Sequence, residues 1–365
     1  MFGVYALLFE DSGVDATGIA ILFALWSVVS FAAEIPSGAL ADILPKRLVL
    51  AVSAVLYTAG FTVWLTWPVF AGFAVGFVVW GLASSLQSGT VESLVYEALD
   101  GLGRAADYPR IWGWAHAGAH GCTLVGTVLA TPLYDVGGYA AVGWVSVAIT
   151  IGNGLLVAAL PREPRRRRDG ERTKAGFGTT LRSGVASVAR DRASRRLVVV
   201  TALLTGFLAY DEFFPLVARE GGASTTEVPL LVAITVVGQA VGAALAGRTA
   251  AVSATTLSTA VLGAAVVLAA GALWGGYGGF VAIAVGYGVL ADVTVVTEAR
   301  LQDRLDSDVR ATGLSLAGFG GETSAVAIYA IFAVAGDAVP TAILLAALSV
   351  PLAATALLVR TAARA

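Results

Sequence analysis

Charge is what this sequence has least of: Asp, Glu, Lys and Arg together make up 13% of its 365 residues, against about 25% in an ordinary soluble domain. That shortage excludes a solvated surface of normal polarity. A single cysteine, Cys122, excludes any disulfide within the chain. Two histidines, His116 and His120, are all the imidazole there is, and two ligands without a third do not make a structural metal site. No phosphate-binding Gly-Lys-Ser/Thr loop, nucleophile elbow or zinc signature occurs. The chain is therefore expected to be no enzyme and no ATP-driven machine, with no cofactor, no metal and no nucleic acid as partner.

What fills the sequence instead is apolar: 57% of residues are hydrophobic and the mean hydropathy is +0.81. A membrane-spanning helix takes about 20 mainly apolar residues. Stretches that qualify lie near 17–40, 48–67, 69–99, 109–134, 138–160, 196–218, 228–247, 254–274, 277–299, 311–336 and 339–359. Continuous apolar runs predict helices, because barrel strands alternate polar and apolar residues. Met1 to Phe9 is apolar but too short to span and lacks the basic flank of a signal peptide. It reads as the outer end of a first helix whose beginning is absent, so the expected fold is an all-α membrane protein with about eleven full spans and a partial one.

Orientation follows from the basic residues. With Lys46 placed inside, Arg219 is the one member of the 23 Lys and Arg that lies outside, as the positive-inside rule demands. Arginine outnumbers lysine 21 to 2, a GC-rich bias that points to a bacterial cytoplasmic membrane. Between the sixth and seventh spans, counting the partial one first, runs Pro161-Arg162-Glu163-Pro164-Arg165-Arg166-Arg167-Arg168 and a polar stretch to about Arg196. It is read as a cytoplasmic linker that anchors topology. Phe177, Leu181, Val185 and Val188 within it recur at helical spacing, as in an amphipathic helix on an anionic leaflet.

The linker separates parts that echo each other at an offset near 200: Glu97-Ala98 with Glu298-Ala299, Arg110 with Arg310, Gly113 with Gly313, Ala117-Gly118 with Ala317-Gly318. Such a repeat fits a duplicated helical bundle. The domains are then 1–160, an N-terminal transmembrane bundle; 161–195, the basic linker; and 196–365, a C-terminal bundle. Gly238, Gly242, Gly247 and Arg248 weakly echo the first loop described next.

That loop is Glu34-Ile35-Pro36-Ser37-Gly38-Ala39-Leu40-Ala41-Asp42-Ile43-Leu44-Pro45-Lys46-Arg47. It resembles the turn between helices two and three of the major facilitator superfamily, where a Gly, an Asp and a basic pair recur in order. Gly38, Asp42, Lys46 and Arg47 match, while Pro45 stands where the family usually has Gly. Glu-Ile-Pro-Ser-Gly-Ala-Leu-Ala-Asp looks most like a bacterial permease branch, which makes Pro36 and Gly38 motif backbone positions. The resemblance implies two pseudo-symmetric six-helix bundles and secondary transport of a small organic solute by alternating access, driven by a proton gradient and directed outward. The drug/proton antiporter pattern Gly-Pro-x-x-Gly-Gly is not matched: Thr131 precedes Pro132, and Gly137-Gly138 is displaced. An uncoupled facilitator, a proton symporter, a non-transporting receptor and a membrane-embedded enzyme remain as alternatives. The expected partners are the lipid bilayer and the solute, and the expected state is a monomer.

Two groups of residues carry the candidate function. Asp42, Lys46, Arg47, Glu97, Arg110 and Arg310 fall at the cytoplasmic ends of spans, close enough in a bundle to form a gating charge cluster. Asp292, Glu322, Asp211, Glu212, Glu92, His120 and His116 are ionisable groups within apolar spans. Such groups cost about 2.5 to 3.5 kcal/mol on insertion scales and face a cavity or a partner, so they are candidates for substrate or proton coupling. Asp292 and Glu322 are expected as the leading pair. Gln87 reads as interhelical glue and Trp112 as part of an interfacial aromatic belt.

Overall fold

A computed structural model describes residues 3–104, 107–160, 190–305, 307–336 and 338–362. The linker residues 161–189, with their expected amphipathic stretch, lie outside the described residues, as do the side chains of Asp42, His116 and Arg310. All regular structure among the described residues is helical, and ten helices are long and apolar enough to cross a membrane. The chain divides into two compact units, Met1–Arg167 with Thr225–Leu230, and Arg168–Ser224 with Leu231–Ala365.

In the first unit α1 (Tyr5–Asp11) is followed by α2 (Ala16–Ile43), α3 (Lys46–Thr66), α4 (Phe70–Gln87), α5 (Thr90–Gly101) and α6 (Tyr108–Ala159). Asp15 starts α2 by accepting the Gly18 N–H at 2.7 Å, which satisfies one of the orphan donors of a first turn. The short α1 is anchored by aromatics. Tyr5 stacks on Trp64 at 5.9 Å, and Phe9 packs on Phe73 at 4.3 Å and Phe77 at 5.6 Å. Phe9, Phe23, Phe73 and Phe77 are fully buried, so the core of this unit is a ring cluster shared by α1 to α4. The expected loop between the spans 109–134 and 138–160 is a break inside α6, where Gly138 takes φ 59° and ψ −153°. Only a residue without Cβ adopts that backbone at low cost. The expected span 69–99 is also broken, between α4 and α5.

The second unit holds α7 (Arg192–Phe207), a tight 3-10 segment (Leu208–Phe213), α8 (Phe214–Glu220), α9 (Val228–Thr249) from Leu231 on, α10 (Ala254–Trp274), α11 (Gly276–Arg304), α12 (Ser307–Ala335) and α13 (Thr341–Ala362). Helix α10 packs on α11 and α13, and α7 packs on α11, α12 and α13. The expected span 196–218 is interrupted because α8 restarts with Pro215 in its first turn, where a missing N–H costs nothing. Gly238, Gly242 and Gly288 belong to a helix contact rather than to a loop. A Cβ on Gly238 would lie 2.2 Å from the Ala284 carbonyl oxygen, and one on Gly242 1.8 Å from that of Gly288. Close packing of α9 on α11 thus accounts for two of the glycines that echo the Gly38 loop. At the other end, the Glu220 carboxylate accepts the N–H groups of Thr341 at 2.8 Å and Ala342 at 3.1 Å and so caps α13.

Candidate functional site

Three places in the molecule concentrate polar chemistry. The first is a cavity of about 480 Å³ in the first unit, lined by Tyr57 from α3, Ser84 and Gln87 from α4, Ser88 and Gly89 from the break, Val91 and Glu92 from α5, and Trp112, Ala115 and Ala119 from α6. Its origin is local. Gly89 has φ 67° and ψ −33°, so α4 ends and α5 sets out afresh. Glu92 then sits in the first turn of α5, where the positive end of the helix dipole favours a negative side chain. Tyr57 is hydrogen-bonded to Trp80 and Ser84, and Trp26 stacks on Trp80 at 5.6 Å. On the far wall Trp112 lies parallel to Tyr108 at 5.8 Å and 11°, and Tyr108 in turn meets Tyr96 edge-on at 5.5 Å. Burial pushes the Tyr108 hydroxyl above its ordinary value, and the negative charge of Glu92 adds to that rise.

The second place is in the second unit, around the 3-10 segment that presents Asp211 and Glu212 among the buried rings of Tyr210, Phe213 and Phe214. The Tyr287 hydroxyl donates to the Leu208 carbonyl at 2.7 Å and receives the Gln239 amide at 3.4 Å. Asp211 is also hydrogen-bonded to Tyr287. Tyr329 stands within the electrostatic reach of Glu212, Asp211 and Glu322. Asp211 and Glu212 thus lie near two tyrosines, Tyr287 and Tyr329, and Glu322 near Tyr329 alone. Asp292 is placed elsewhere, accepting the Thr249 hydroxyl at 2.6 Å, so the pair of Asp292 and Glu322 expected to act together has two different settings.

The third place is the set of charged helix ends. Lys46 Nζ lies 2.7 Å from Glu97 Oε1, with the lysine buried, and Arg47 donates to the Ala158 carbonyl at the end of α6. Arg110 is exposed at the start of α6. Asp42 lies on α2 and Arg310 on α12. Pro36 lies inside α2, and a Cβ on Gly38 would meet nothing within 4 Å, so no packing contact in this structure requires that glycine. In the second unit Arg300 donates to the Ala250 carbonyl at 2.9 Å and the Val252 carbonyl at 2.5 Å, and Arg304 Nε lies 3.5 Å from Asp191. His120 is exposed on α6, the helix that also carries His116.

Of the expected residues, Glu92, Asp211, Glu212 and Glu322 thus fall in the polar places and Lys46 meets Glu97. Reasoning from sequence missed Tyr57, Ser84 and Ser88 and gave Gln87 and Trp112 other roles. The signal for the cavity was the Ser88-Gly89 pair inside an apolar run, a turn dipeptide. Tyr287 and Tyr329 had no such signal.

The family model described as Major Facilitator Superfamily matches residues 1–329. No curated protein matches the chain by sequence. Among solved structures the fold is similar to that of the nucleoside transporter NupG, with TM-score 0.75, 13% identity, and coverage of 98% of this chain and 94% of that one. A mutant form of the same transporter gives TM-score 0.76 at 12% identity, covering 100% of this chain and 94% of that one. A mutant form of the E. coli fucose:proton symporter FucP gives 0.56 at 16% identity, covering 99% and 96%.

Proposed function

Because the chain belongs to the Major Facilitator Superfamily, we propose that it is a secondary active transporter of a small organic solute, working by alternating access with Asp211 as the group that carries the coupled proton. Membership and the ten apolar helices make it a multi-pass membrane transporter. The finer reading rests on one observation, the shared tyrosine proton. A phenol has one O–H to give, and Tyr287 gives it to Leu208 while also bonding Asp211. When the Asp211 carboxyl carries a proton of its own, both bonds are made at once; when it is ionised, carboxylate and carbonyl compete for a single hydrogen. Proton loss at Asp211 therefore rearranges the link between the 3-10 segment and α11, which is what coupling needs.

Export of the solute in exchange for protons, through the cytoplasmic membrane of a bacterium and by a monomer, is the form of this reading that the basic inner loops and the permease-like turn support. No cofactor beyond the proton gradient is involved. Symport is the second reading, favoured by the fold shared with a protein described as a fucose:proton symporter.

The test is solute-driven proton movement in proteoliposomes holding the full chain, screened with cationic and neutral compounds and read with a trapped pH dye. A flux seen with one compound class, and lost in Asp211→Asn and Tyr287→Phe proteins that still bind the compound, is expected. Solute uptake without proton movement by the unmodified protein would overturn coupling.

A further inference from the structure

The cavity of the first unit is chemically one-sided. Among the described residues it offers one carboxylate, Glu92, two aromatic side chains, Tyr57 and Trp112, and the neutral polar groups of Ser84, Ser88 and Gln87, with no Lys or Arg side chain in its lining. Elsewhere in the molecule acidic side chains near helix ends have found cations: Glu97 meets Lys46, Asp107 meets Arg104 and Asp191 meets Arg304. Glu92 enters no ion pair among the described residues. An anionic ligand would meet a like charge there, and a neutral one would leave the carboxylate without a counter-charge. A cation with an apolar shell satisfies every wall at once, because ring faces attract positive charge and the carboxylate supplies the opposite sign. Trp112 is held in its plane by the parallel ring of Tyr108, so one of the two aromatic walls is set before any ligand arrives. The volume, about 480 Å³, is within the range of sites that hold small organic molecules.

We propose that this cavity is a recognition site for a small organic cation, a quaternary ammonium or protonated amine, with Glu92 as its counter-charge and Trp112 and Tyr57 as its aromatic wall. The assignment names the solute class of the transport reading above. It rests on that reading only for the claim that the bound cation then crosses the membrane.

The experiment is equilibrium binding to the full chain in lipid nanodiscs, with no gradient imposed, by calorimetry and tryptophan fluorescence. The probes are choline, benzyltrimethylammonium and 3,3-dimethylbutan-1-ol, the last having the shape of choline without its charge. Saturable binding of at least one cation, at least about tenfold tighter than the neutral alcohol, is expected. Glu92→Gln should weaken cation binding about tenfold or more, Glu92→Asp should keep part of it, and Trp112→Leu should lose more than Trp112→Phe, as a ring contribution predicts. Each variant is first required to match the unmodified protein in thermal midpoint. No saturable binding of either cation overturns the proposal, as does equal affinity for the alcohol or full affinity in folded Glu92→Gln. Binding is read without transport, so it can succeed where proton flux fails, and the two readings can be told apart.

Discussion

Helix α2 with the α4–α5 pair in the first unit, and α9 with α11 in the second, occupy corresponding places in the two repeats and meet in opposite ways. In the first unit rings and hydroxyls share the contact: Phe23 meets Phe77 at 6.0 Å, Trp26 meets Trp80 at 5.6 Å and the Ser30 and Ser84 hydroxyls meet at 3.3 Å, then Gly89 breaks the helix with its positive φ and a cavity opens beside the break. In the second, α11 runs unbroken from Gly276 to Arg304, and glycines bring its backbone against that of α9. Small residues let membrane helices close to backbone contact, whereas a break with serines around it leaves space and polar atoms facing it. Corresponding helices thus leave an open cavity in one unit and make a close backbone contact in the other.

The sharpest way to break this comparison is a methyl group on either side. Gly238→Ala should force α9 from α11, since the added carbon meets backbone rather than a side chain that can turn away. Overpacking of this kind costs about 1–3 kcal/mol, occasionally more, so a large fall in thermal midpoint is expected. Gly38→Ala, at the corresponding place in the first unit, meets nothing within 4 Å and replaces a helix-interior glycine, which favours the helix by up to about 1 kcal/mol. Its midpoint should hold or rise. Equal destabilisation by both substitutions would show that the two contacts are alike after all.

This contrast also shows what could be read from the sequence. The helical membrane fold was legible because it depends on hydropathy along the chain. The break at Gly138 fell where the Gly137-Gly138 pair and the gap between apolar runs put it. Gly242 was misleading: its spacing suggested a loop motif, and only the neighbouring backbone of Gly288, 46 positions away in sequence, reveals a packing role. Glu92, Asp211, Glu212 and Glu322 stood out because charge in an apolar run is rare. Their companions did not. Tyr57, Ser84, Tyr287 and Tyr329 are ordinary residues for a membrane helix, and what makes them part of a polar site is which helix lies opposite, a fact of tertiary structure.

A smaller effect sharpens the comparison at the charged ends. The first unit ties Lys46 at the start of α3 to the Glu97 carboxylate, while the second ties Arg300 to the neutral carbonyls of Ala250 and Val252. Glu97 is 40% exposed, so Lys46→Met should cost only about 1 kcal/mol, and less at high salt, because solvent and ions screen such a pair. Arg300→Met removes charge-assisted bonds to carbonyls and should cost about 1–2 kcal/mol with little dependence on salt. The exchanged pair Lys46→Glu with Glu97→Lys should recover most of the first loss. Thermal midpoints at low and high salt check all of these, and a salt-independent Lys46→Met would deny the ion pair its role.

The least effect belongs to Asp191, the residue that opens α7. Its carboxylate takes the Ser194 hydroxyl at 2.6 Å and the N–H groups of Ser194 at 3.1 Å and Ala193 at 3.3 Å, with Arg304 at 3.5 Å. The start of α3 has no side-chain cap at all, only Pro45. The Ser194 hydroxyl, more than the backbone N–H groups or Arg304, holds the Asp191 carboxyl below its ordinary value of 3.8, against an opposing push from burial. A folded-state value below the unfolded one adds stability that is present above pH 3.8 and is lost as pH falls through the lowered native value. Asn caps nearly as well as Asp, so Asp191→Asn removes the charge and keeps the geometry. It should lower stability near neutral pH by a few tenths of a kcal/mol, less than the roughly 1 kcal/mol expected when Asp191→Ala removes the cap itself. In melts followed from neutral to acid, the Asn protein should approach the unmodified one as Asp191 takes up its proton, while the Ala protein stays below both. A gap between Asp and Asn that is the same at every pH would assign the whole contribution to hydrogen-bond geometry and none to the charge.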